Sequence, residues 1–71
     1  MGKLPSKYWI FRVVSEVVDE PCETREEANN ISRGLKKYTI FQEDYKRNYS
    51  DGKMIGISLL RKTQLKHWEV R

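Results

Sequence analysis

Apolar and polar positions alternate most clearly over residues 8–18, Tyr-Trp-Ile-Phe-Arg-Val-Val-Ser-Glu-Val-Val. Aromatic and β-branched types dominate there, as in a strand. The odd positions Trp9, Phe11, Val13, Ser15 and Val17 form the more apolar row, so that row is predicted to face the core. Asp19, Glu20 and Pro21 follow, and a proline without a ladder donor is expected to end the strand. Thr24-Arg-Glu-Glu27 is then a capping box. The Thr24 hydroxyl accepts from the amide three residues on, Glu27 reaches back to the Thr24 amide, and Glu26 and Glu27 suit the positive end of the helix dipole. The spacing of Ala28, Ile31 and Leu35 predicts a helix from Arg25 to about Lys36, with Gly34 near its end.

Residues 38–45 form a second predicted strand, with less regular alternation. Residues 46–53, Lys-Arg-Asn-Tyr-Ser-Asp-Gly-Lys, read as a polar hairpin loop around the turn pair Asp51-Gly52. Residues 54–60 are a third strand without any charge, with Ile55, Ile57 and Leu59 on one face. Residues 61–71 fit either a helical turn through Leu65 and Trp68 or an edge strand through Trp68 and Val70. Residues 1–7 and 62–71 are expected to be loose or lightly packed.

The order β-α-β-β predicts an α+β domain with a helix on one sheet face. A right-handed crossover makes the first and second strands parallel. The uncharged third strand then lies between them, giving a three-stranded antiparallel sheet of spatial order 1-3-2. The opposite face, with Tyr8, Ile10, Arg12, Val14, Met54 and Leu60, is apolar enough to need cover from the tail, a second copy or a target.

Length limits what such a fold does. At 71 residues the chain is a single small domain, and a chain of this size buries only about 60% of its unfolded surface. No run approaches the roughly 18 apolar residues of a membrane helix, and Arg12 interrupts the first apolar stretch, against a secretory leader. A cytoplasmic protein without membrane contact is expected. The single alanine, with abundant Lys, Ile, Asn and Tyr, suits an AT-rich genome such as those of many phages.

Catalytic constellations are scarce, and no enzyme activity is expected. His67 and Cys22 are the only histidine and cysteine, so no metal set, disulfide framework or cofactor motif is offered. A Cys22–His67 pair is the single nucleophile–base combination. Cys22 precedes the helix N-terminus, where thiols acidify, yet an inert half-buried thiol and a solvated imidazole are the simpler reading. Glu43 and Asp44, adjacent on a strand, point to opposite faces and make no acid–base pair.

Charge is more informative. Residues 1–45 carry seven basic and eight acidic side chains, whereas residues 46–71 carry seven basic against Asp51 and Glu69. The whole excess of +4 belongs to the last third. Lys46, Arg47, Lys53, Arg61, Lys62 and Lys66 are therefore expected to meet phosphates, with Asn48 and Tyr49 nearest a base. Nucleic acid, DNA first, is the expected partner of a non-catalytic binding module. The alternative is a small inhibitor or adaptor of the kind phages encode. It would dock a protein through an edge strand or the open sheet face, anchored by Tyr8, Arg12, Tyr45 and Trp68. A homodimer would also cover that face.

Overall fold

The computed structural model describes residues 4–70. Its elements are β1 (Lys7–Val14), β2 (Asp19–Cys22), α1 (Arg25–Ser32), β3 (Lys37–Ser50) and β4 (Lys53–Glu69). They form one four-stranded antiparallel sheet in the order β2-β1-β3-β4, with the short helix on one face.

This overturns the expected three-stranded sheet of order 1-3-2. The cause lies at residues 15–18. Ser15 closes a tight turn there: its amide donates to the Val18 carbonyl at 2.7 Å, and its hydroxyl accepts from the Val17 and Val18 amides at 3.2 and 2.9 Å. A serine hydroxyl satisfying nearby amides competes with the strand ladder. The chain therefore reverses before the helix, not after it. Asp19 to Cys22 fold back on β1, with Pro21 opposite Arg12. β2 is an edge strand, the place in a sheet where a proline's missing donor is tolerated. Because the hairpin has already reversed the chain, β3 returns antiparallel to β1 and pairs with it directly, Val13 against Ile40 and Tyr8 against Tyr45. The uncharged segment 54–60 is left on the outer edge.

The helix ends at Ser32, shorter than its apolar spacing predicts. Its cap is as expected in one half, the Glu27 amide donating to the Thr24 hydroxyl at 3.2 Å. The Glu27 carboxylate accepts from the Glu23 amide at 3.1 Å rather than from Thr24. An eight-residue helix is about 12 Å long, so it covers only one end of the sheet. The core sits there: Val13, Cys22, Ala28, Tyr38 and Ile40 are buried, with Phe11, Ile31, Leu35 and Leu65 packed against them.

The loop expected at 46–53 is strand apart from its tip. Asp51 (φ 52°) and Gly52 (φ 76°) make a two-residue turn of left-handed residues, and β3 and β4 pair to within one residue of it. Residues 61–69 continue β4. Three bulges leave Leu65, Leu60 and Ile55 without a partner on β3. Each bulge shifts the alternation by one. Leu65 reaches the core as a result, and Ile57, Leu59 and Met54 come onto the face away from the helix.

The described end segments are tied down. The Arg47 amide donates to the Ser6 carbonyl, its guanidinium donates to the Pro5 carbonyl at 2.6 Å, and the Val70 amide donates to the Lys36 carbonyl at 2.9 Å. The rest of the expected loose ends, residues 1–3 and 71, lies outside the described residues. No helix among them is long and apolar enough to cross a membrane.

Candidate nucleic-acid interface

The sheet presents two unlike surfaces past the helix. On the face away from α1, alternation places Arg12, Glu43, Tyr45 and Lys62 together. Arg12 Nε donates to Glu43 Oε1 at 2.7 Å and its Nη1 to Asp19 Oδ1 at 2.8 Å. Tyr45 donates its hydroxyl to the same Glu43 oxygen at 3.0 Å, and Lys62 Nζ lies 3.7 Å from the other. Glu43 is only 4% exposed. Burial pushes its carboxyl upward, but the bonds from Arg12 and Tyr45 and the charges of Arg12 and Lys62 outweigh it, holding the group below its ordinary range. The Arg12 guanidinium is held above its ordinary range chiefly by Glu43 and then Asp19. Beside this network Tyr8 stacks on Tyr45 at 5.4 Å, and Arg47 lies over the Tyr8 ring at 3.9 Å.

These contacts sort the expected interface residues. Arg47 is held by Tyr8 and Pro5, and Asn48 donates to the Ser58 hydroxyl at 2.8 Å. Lys62 is held by Glu43 and by the Phe41 ring at 4.3 Å. Lys66 lies against Tyr38, whose phenol it draws below its ordinary pKa despite burial. Lys46, Lys53 and Arg61 are exposed, and no ion pair among the described residues engages them. Tyr49 is exposed near the tip. Of the expected protein anchors, Tyr8, Arg12 and Tyr45 belong to the network, while Trp68 is exposed at the other end, opposite Tyr38.

The helix-side face holds two residues that alternation assigned otherwise or passed over. Trp9 belongs to the predicted core row but is 61% exposed, because α1 lies over the other end of β1. Lys7 lies directly opposite Lys46 across the β1–β3 ladder, and Trp9, Asp44 and Arg61 form the next cross-strand row. Lys7, Lys46, Trp9 and Arg61 thus share one face, with Lys53 further out on the same side. The signal in the sequence was the odd-row position of Lys7 and Trp9. It needed the placement of the helix on the sheet to be interpreted.

Cys22 and His67 are brought to opposite edges and opposite faces, so they form no dyad. Burial first, then Glu27 and Glu20, pushes the Cys22 thiol above its ordinary pKa. His67 Nδ1 instead lies 2.8 Å from the Thr39 hydroxyl. Among the described residues no group of three or more histidine, cysteine or acidic side chains is placed to hold a metal.

No protein-family model, no curated protein and no solved structure matches the chain.

Proposed function

We propose that the protein is a non-catalytic, cytoplasmic nucleic-acid-binding module that uses the helix-side face of its β3–β4 ribbon. The observation that carries this reading is the excess of cations at the end of the sheet away from the core. At the core end Glu16, Asp19, Glu20, Glu23, Glu26, Glu27 and Glu69 are nearly balanced by Arg12, Arg25, Arg33, Lys36, Lys37 and Lys66. The far end carries Lys7, Lys46, Arg47, Lys53 and Arg61 against Asp44 and Asp51. A cationic end beside a nearly neutral one raises the local concentration of a polyanion at that end. The ribbon past Lys46 is two strands wide, a shape that enters a nucleic-acid groove or lies along a single strand.

The four cations at this end that have no ion-pair partner among the described residues (Lys7, Lys46, Lys53 and Arg61) set the expected salt dependence. Each neutralised phosphate contributes about −0.7 to −0.9 to the log–log slope, so the slope should be roughly −3. Fluorescence anisotropy with a labelled oligonucleotide, titrated with salt, measures it. Lys46→Glu with Arg61→Glu should abolish binding while leaving the circular dichroism spectrum intact. Absence of binding at low salt, or an unchanged affinity in that double variant, overturns the reading.

The alternative of a protein-docking adaptor has one supporting observation. Tyr49, Met54, Ile57 and Leu59 form an exposed apolar strip on the face away from the helix. A stoichiometric protein partner that survives nuclease and high salt, lost on Ile57→Lys, would favour it over nucleic acid.

A further inference from the structure

Trp9 sits where an indole has no structural work to do. Its row leads into the core through Phe11 and Val13, yet α1 lies over the core end of the sheet and Trp9 is 61% exposed. Its surroundings are poor for a sheet and good for an anion. Lys7 and Lys46 are direct cross-strand partners, and like charges so placed destabilise a sheet until something negative lies between them. Arg61 lies in Trp9's own cross-strand row, two strands away, with no ion-pair partner among the described residues. A shallow depression of about 380 Å³ runs between Trp9, Leu60 and Arg61. Asp44 lies between Trp9 and Arg61 in that row, and one of its carboxylate oxygens accepts from Gln42 at 3.1 Å.

We infer that Trp9, Lys7, Lys46 and Arg61 form a nucleotide subsite in which an unpaired base stacks on the indole. The flanking phosphates lie on Lys7 and Lys46 on one side and on Arg61 on the other. Asp44 is the acceptor available to a base N–H. Neighbouring strands are about 4.8 Å apart and alternate residues about 6.7 Å, so a base on the indole keeps its own phosphates within reach of the lysines. In a duplex the base faces are already stacked on one another, so an aromatic side chain on a flat sheet gains access only to a single strand. The inference rests on the nucleic-acid reading above and adds the strand state of the ligand and the residue that selects it.

The test uses the full chain carrying Trp68→Phe, so that Trp9 is the only tryptophan. Its fluorescence is titrated with a 12-nucleotide oligothymidylate, with a 12-base-pair duplex and with inorganic polyphosphate (oligomers of about these lengths span an OB-fold-sized site). Quenching by the single strand alone is expected. A Trp9→Ala variant is expected to lose about ten-fold or more in single-strand affinity with an unchanged salt slope, since no phosphate contact is removed. Because Trp9 is mostly exposed, thermal melting should confirm that this variant folds. Equal affinity for duplex and single strand, equal quenching by polyphosphate, or a Trp9→Ala variant that binds like its parent overturns the subsite and leaves the nucleic-acid reading standing. Absence of binding to all three probes overturns both.

Discussion

Glu43 shows how one residue shapes a sheet that lacks a second layer on one side. Charges in a strand normally mark it as peripheral, yet Glu43 is buried on the central strand β3, because Arg12, Tyr45 and Lys62 surround it. No buried side-chain polar atom among the described residues lacks a hydrogen-bond partner. Its carboxyl is held below the ordinary value of 4.5. A depressed folded pKa means that its stabilisation is complete above the unfolded value and is lost as pH falls through the folded one. Stability should therefore decline below about pH 4.5 by protonation of this group among others. Glu43→Gln should cost about 1.5–3 kcal/mol at pH 7, the usual worth of hydrogen bonds to a charged group. It should also flatten the acid limb. Urea unfolding from pH 3 to pH 7 measures both, and parallel pH curves for parent and variant would contradict this account.

At the scale of elements, the β3–β4 hairpin governs the topology. Its two-residue turn keeps the strands adjacent along their whole length, so nothing inserts between them. The turn depends on left-handed backbone at Asp51 and Gly52. A side chain at Gly52 meets no atom within 4 Å, so the cost of Gly52→Ala is purely conformational. It should be about 1–2 kcal/mol, read as a lowered urea midpoint with an unchanged m-value. A changed m-value would instead indicate a register slip. The turn was legible in Asp51-Gly52, and the helix start in Thr24 and Glu27. The Ser15 turn was not, since Val17 and Val18 after it have strand propensity. Neither was the length of β4, whose bulges break the alternation that would have shown it.

The whole molecule is elongated. Its principal extents are 52 × 22 × 18 Å and its radius of gyration is 14.7 Å, against about 11 Å for a compact chain of this length. The core lies at the helix end and the two-stranded ribbon projects from the other. A hairpin without a third strand is marginally stable, so stability should be graded along the long axis. Native-state hydrogen exchange should show hydrogen-bonded amides between Arg47 and Ile57 exchanging about ten-fold or more faster than those around Val13 and Ile40. Uniform protection would mean that something covers the ribbon in solution.

The sequence by itself determined the local signals: strand propensity at residues 8–14, the cap at Thr24, the left-handed turn and the excess of cations after residue 45. Each depends on neighbouring residues, and a few positions suffice to encode it. Strand order, the end of the sheet left bare and the pairing of each cation depend on residues far apart in the chain. The serine turn at Ser15 reverses β1 into β2 and sends β3 to its side, and the helix lies over the core end, away from Trp9. Only that arrangement sets Lys7 against Lys46, binds Lys62 to Glu43, and leaves Lys46, Lys53 and Arg61 without an ion-pair partner among the described residues.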